Sequence, residues 1–151
     1  MRVTSHETGG LVFPQGTEGA RPERPTEPRG KRRTLLVVED NEDTSDILRM
    51  WLESGGYEVV TAGTGWDAVQ MALRGGYDAI LMDMSLPTLD GMSALRLIRG
   101  HEHLRGVPVV AITAYDAAYP RAEAMEAMCD EYMVKPLDLG RLEAVLGRVL
   151  H

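Results

Sequence analysis

The sequence predicts an α/β fold, a doubly wound sheet of five parallel strands with helices on both faces. Three observations predict it. Short apolar runs of strand length recur along the chain, and segments of helical apolar period separate them. Parallel strands of this kind are buried on both faces, so they read as apolar runs without alternation. A helix–Gly-Gly–Tyr–strand unit also occurs twice, at Gly55-Gly56-Tyr57 and Gly75-Gly76-Tyr77. The spacing between the two copies is the step of a βα repeat.

The elements follow in order from residue 34. Leu35-Leu36-Val37-Val38 is the first strand and runs into Glu39-Asp40-Asn41-Glu42-Asp43. Thr44 to Ser54 is a helix with Ile47, Leu48, Trp51 and Leu52 on one face. Gly55-Gly56 stops it, and Tyr57-Glu58-Val59-Val60 is the second strand. Gly65 to Arg74 is a helix whose apolar residues are Trp66, Val69, Ala72 and Leu73. Tyr77 to Met82 is the third strand, and Leu89 to Arg99 a helix facing in through Met92, Leu95 and Ile98. Val107 to Thr113 is the fourth strand. A short helix from Pro120 to Met128 follows, since proline is tolerated in a first turn. Tyr132-Met133-Val134 is the fifth strand, and Leu139 to Leu150 the closing helix. Residues 34–151 therefore make one folded unit with right-handed crossovers. Residues 1–33 are rich in Gly, Pro, Arg, Glu and Thr with no sustained apolar period, and read as a flexible tail.

Bulk properties exclude several functions. The tail carries seven basic and four acidic residues, which leaves −10 on the remainder of a chain whose net charge is −7. An acidic folded part lacks the basic footprint of a direct nucleic-acid binder. No apolar stretch approaches the roughly 18 residues of a membrane span, and Leu11-Val12-Phe13 is too short for a signal-peptide core. Cys129 is the only cysteine, so no disulfide framework exists, which fits a reducing cytoplasmic setting.

Every chemically pointed residue falls at the C-terminal end of a strand. Glu39 and Asp40 follow the first, Asp83 the third and Lys135 the fifth, while Thr113 ends the fourth. Parallel strands bring these ends to one edge, where ligands bind in open α/β sheets. Three close carboxylates repel one another and raise one another's pKa. A hard divalent cation such as Mg²⁺ resolves this with oxygen ligands. A carboxylate can act as a nucleophile toward phosphorus, and phosphoryl transfer asks mainly for positioning and charge neutralisation. Asp83 is the expected acceptor. Lys135, the only lysine after Lys31, supplies a compact cation, and Thr113 a hydroxyl donor.

These residues carry a resemblance. Glu39-Asp40, the segment Asp83-x-x-x-Pro87 with Asp90-Gly91, Thr113-Ala114, and Tyr132-x-x-Lys135-Pro136 resemble the receiver domain of a two-component response regulator. The resemblance covers about three quarters of the chain and leaves out the tail. It implies a flavodoxin-like sheet in the order 2-1-3-4-5. It also implies that Asp83 takes a phosphoryl group from a phosphohistidine on a sensor histidine kinase or a histidine phosphotransfer protein. Asp40, Asp83 and the Ser85 carbonyl would hold Mg²⁺, with Glu39 assisting through water. Lys135 and Thr113 would contact the phosphoryl group. Tyr132 would swing inward and change affinity for a downstream protein target by a population shift. Ser85 and Tyr115 would tune how long the phosphoryl group lasts. One departure stands out: Met128 occupies a position before Cys129-Asp130 where family members commonly carry glycine.

Other readings fit less well. A haloacid-dehalogenase-type phosphatase wants a second aspartate two residues after the nucleophile, where Ser85 stands. A flavin binder needs a Ser/Thr-rich phosphate loop after the first strand, where Glu39-Asp40 would repel the phosphate. A receiver of a hybrid histidine kinase, or a phosphate sink or shuttle, shares the chemistry and differs only in context. None of His6, His101, His103 and His151 lies in a kinase or phosphotransfer motif.

Overall fold

The computed structural model describes residues 11–13, 32–114 and 129–150. Its strands are β1 (Leu11–Val12), β2 (Thr34–Val38), β3 (Glu58–Ala62), β4 (Ala79–Asp83), β5 (Val109–Thr113), β6 (Glu131–Val134) and β7 (Leu137–Asp138). Its helices are α1 (Glu42–Ser54), α2 (Gly65–Arg74), α3 (Gly91–Arg99) and α4 (Leu139–Val149). The main sheet is parallel throughout in the order β3-β2-β4-β5-β6. Counted without β1, this is the expected 2-1-3-4-5.

The three central strands show why apolar runs without alternation form this sheet. Leu36 and Val38 of β2, Ile80 and Met82 of β4, and Val109 and Ala111 of β5 pack on one face with Ala68 of α2 and Leu95 of α3. Leu35 and Val37, Ala79 and Leu81, and Val110 and Ile112 pack on the other with Leu48 of α1 and Leu142 of α4. Successive side chains point to opposite faces, so a strand between two helix layers needs an apolar residue at every position. Burying one such side chain contributes about 1.5–3 kcal/mol.

Asparagine and aspartate caps fix where the helices begin. Asn41 Oδ1 accepts the Thr44 N–H at 2.9 Å, Asp90 Oδ1 the Ser93 N–H at 2.8 Å, and Asp138 Oδ1 the Arg141 N–H at 3.1 Å. Each cap is worth about 1 kcal/mol. Capping starts α1 at Glu42, ahead of the expected Thr44, and starts α3 at Gly91 in place of Leu89. The second strand runs on to Ala62, past the expected Val60, and pairs with β2 along its whole length.

Trp66, one of the apolar residues of its helix, is 52% exposed. It lies in the first turn of α2, where Gly65 takes the buried position and packs against the Leu89 backbone. Leu11–Phe13 lies within the stretch 1–33 expected to be a flexible tail. Leu11 is buried, and β1 pairs in parallel with β7. The run is too short to show a period, and its partner lies more than a hundred residues away. The expected helix over 120–128 and Met128 lie outside the described residues, as do Tyr115 and most of the tail.

Candidate functional site

Rows of side chains on the sheet place the charged residues. The face that carries Leu35 and Val37 continues to Glu39, the face of Ala79 and Leu81 to Asp83, and the face of Met133 to Lys135. These three groups therefore leave three strands on the same side. Thr113 continues the opposite row, after Val109 and Ala111, and Tyr132 lies on that side too, half-buried against its core.

Asp83 is buried, and both of its oxygens are engaged. Oδ1 accepts the Ser85 N–H at 2.8 Å, which folds the chain back at the strand end. Oδ2 receives Lys135 Nζ at 3.2 Å. Lys135 Nζ also lies 4.0 Å from Glu39 Oε1, so one ammonium serves two buried carboxylates. The Lys135 N–H donates to the Thr113 carbonyl at 2.7 Å, which anchors the loop to the end of β5.

Glu39 is buried, and its Oε2 accepts the Asn41 N–H at 3.1 Å. Burial pushes its carboxyl up from 4.5 to about 7, and the charge of Asp83 adds to this. The Asn41 N–H and Lys135 act against the rise without cancelling it. Asp40 is exposed at the mouth. Carboxylate oxygens of Glu39, Asp40 and Asp83 all lie within 4.8 Å of one another. A hard-oxygen donor set with more negative charge than Lys135 neutralises fits Mg²⁺. An open cleft of about 330 Å³ borders Glu39 and Asp40, lined also by Glu42, Ser45 and Asp46 among others.

The other expected residues take distinct places. Thr113 is fully buried, and its Oγ1 has no hydrogen-bond partner among the described residues. A buried hydroxyl left unpaired costs about 1–3 kcal/mol. Ser85 is exposed beside Asp83, and Tyr132 is half-buried against the core on the Thr113 side of the sheet.

Sequence reasoning quoted Asp90-Gly91 without a reason for either residue. Asp90 caps α3. A Cβ on Gly91 would run into the backbone of Asp83 and Met84, so the glycine lets α3 begin directly beneath the loop that carries Asp83. Thr88, in the same loop, has φ +67°, a left-handed conformation that β-branched residues rarely adopt. Strain of this kind collects near functional sites.

Comparisons with known proteins agree with this geometry. The family model for the response regulator receiver domain matches residues 35–147. The polar-differentiation response regulator DivK of Brucella ovis is 31% identical over 109 residues, 72% of this chain and 89% of that protein. The receiver domain of the sensor histidine kinase PA1611 of Pseudomonas aeruginosa, with a magnesium ion coordinated in its active-site cleft, is 39% identical. The match covers 80% of this chain and 98% of that one, with a TM-score of 0.73. The receiver domain of the Saccharomyces cerevisiae response regulator Ssk1, solved with the histidine phosphotransfer protein Ypd1, is 29% identical with a TM-score of 0.72. That match covers 79% of this chain and 89% of that one.

Proposed function

This chain belongs to the response regulator receiver domain family of two-component signalling, and on that premise we propose that Asp83 is its phosphoacceptor. The observation that carries the reading is the environment of the Asp83 carboxylate. It lies buried at the C-terminal end of β4, held by the Ser85 N–H and Lys135, with Glu39 and Asp40 alongside. An Asp83 oxygen attacks the phosphorus of a phosphohistidine on a sensor histidine kinase or a histidine phosphotransfer protein. The O–P bond forms, the P–N bond breaks, and the imidazole, protonated from solvent on its other ring nitrogen, leaves as the neutral ring.

Glu39, Asp40, Asp83 and the Ser85 carbonyl would hold Mg²⁺, which supplies charge neutralisation for the incoming phosphoryl oxygens. Lys135 gives up its contact with the free carboxylate and pairs with the phosphoryl group. Thr113 Oγ1, without a hydrogen-bond partner among the described residues, gains an acceptor. Tyr132 lies on the same face of the sheet as Thr113, which suits it to follow Thr113 and alter affinity for a downstream protein target. The acidic folded part favours protein partners in the cytoplasm over nucleic acid or membrane surfaces.

Incubation with acetyl phosphate and Mg²⁺, read by intact mass, tests the reading. Wild type gains one phosphoryl group, and chelation of Mg²⁺ or Asp83→Asn removes the gain. A gain that persists in Asp83→Asn assigns the acceptor elsewhere. The likeness to the receiver of a sensor histidine kinase favours a second context, in which the phosphoryl group is relayed onward. Transfer from the phosphorylated protein back to a histidine phosphotransfer protein would distinguish that role from a terminal switch.

A further inference from the structure

Leu11–Phe13, ahead of the span that the family model matches, packs beside the loop that carries Lys135. Residues 11–13 precede the matched span of 35–147. Leu11 pairs with Leu137 and Val12 with Asp138, as a separate two-stranded sheet. Leu11 is buried in the same core as Met133, Leu137 and Trp51. Phe13 meets Trp51 edge to face, with ring centroids 5.7 Å apart at 68°. This is the sheet face from which Glu39, Asp83 and Lys135 project.

From these contacts we infer that Leu11–Phe13 is a positioning strand for Lys135, acting through β7. The Lys135 loop is held at two points. On the β5 side, the Lys135 N–H donates to the Thr113 carbonyl. On the other side, two residues on, Leu137 is buried and its only strand partner among the described residues is Leu11. A lysine stem carries about 2 kcal/mol of rotamer entropy, so fixing its backbone at both ends favours the one placement that reaches Asp83.

A ladder of two residues is weak alone. Because it belongs to the same chain, its docking is an intramolecular step that needs no free partner. Docking and occupancy of the phosphoryl site then share a coupling free energy, and each strengthens the other.

This inference rests on Asp83 being the phosphoacceptor, and the test separates the two claims. The probe is beryllofluoride with Mg²⁺, a mimic of the aspartyl phosphate, titrated into the full chain and followed by ¹⁹F NMR. Wild type binds it. Leu11→Asp, with its fold checked by circular dichroism, binds about fivefold or more weakly. Leu11→Met restores wild-type affinity. In a Lys135→Ala background, Leu11→Asp causes no further loss, because the route through Lys135 is already cut. Amide exchange over residues 137–139 slows in wild type when the mimic binds, and this slowing is absent in Leu11→Asp. Equal affinity of wild type and Leu11→Asp overturns the positioning role and leaves the acceptor assignment standing. So does an equal loss with and without Lys135, which would make Leu11 a general packing residue. Failure of wild type to bind the mimic overturns the acceptor assignment itself.

Discussion

Replacing Glu39 with glutamine separates the electrostatic cost of the site from its chemistry. The carboxyl titrates at about 7 in the folded protein against 4.5 ordinarily, with burial the main cause and Asp83 the next. A rise of that size disfavours the fully ionised form by about 3 kcal/mol. The folded state holds a proton on Glu39 between pH 4.5 and about 7 that the unfolded chain has released. The stability linked to that proton is complete below pH 4.5 and is lost as pH rises through about 7. Glutamine carries no charge, and its oxygen can still accept the Asn41 N–H.

Thermal melts in the absence of divalent ions should therefore give similar midpoints for wild type and Glu39→Gln at pH 5. At pH 8 the variant should be more stable by about 1–3 kcal/mol, less than the full figure because it forfeits attraction to Lys135. For a fold of this size that is about 4–10 °C in midpoint. Mg²⁺ at pH 8 should raise wild type more than the variant and close the gap. An advantage for Glu39→Gln that is independent of pH, or one that survives saturating Mg²⁺, would refute the account of Glu39 as an ionised group awaiting a cation.

Two further substitutions probe the positions around Asp83. Thr113→Val removes a buried hydroxyl that has no partner among the described residues. Its unphosphorylated form should melt at or above wild type, by up to about 1 kcal/mol, while its affinity for beryllofluoride with Mg²⁺ falls. A clear drop in stability would show that the hydroxyl already has an acceptor. Gly91→Ala drives a methyl group into the backbone of Asp83 and Met84. It should cost about 1–3 kcal/mol by overpacking in chemical denaturation and also weaken Mg²⁺ binding. Unchanged Mg²⁺ affinity in a folded Gly91→Ala protein would show that the loop adjusts without moving the carboxylate.

The sheet was legible because each central strand must satisfy two faces at once, and β2, β4 and β5 can do so only with continuous apolar runs. The charged part of the site was legible for a related reason: Glu39, Asp83 and Lys135 each follow such a run, and parallel strands end together. Local pattern does not carry distances between elements, and the features it missed depend on them. The need for glycine at position 91 comes from the approach of α3 to the Asp83 loop. Trp66 looks apolar by period, yet the buried place in its turn goes to Gly65 against Leu89. Leu11 finds Leu137 across most of the chain, a pairing that three apolar residues cannot announce. That the Thr113 hydroxyl has no partner among the described residues is likewise a property of packed neighbours, visible only once β5 lies between β4 and β6.

The account turns on which atom receives the phosphoryl group, and peptide mapping reads that directly. Protein treated with acetyl phosphate and Mg²⁺ is reduced with borohydride, which converts an aspartyl phosphate to homoserine and leaves unmodified carboxylates intact. The account predicts one Mg²⁺-dependent homoserine, at position 83. Homoserine at position 40, or phosphate on a histidine with position 83 unchanged, would contradict it.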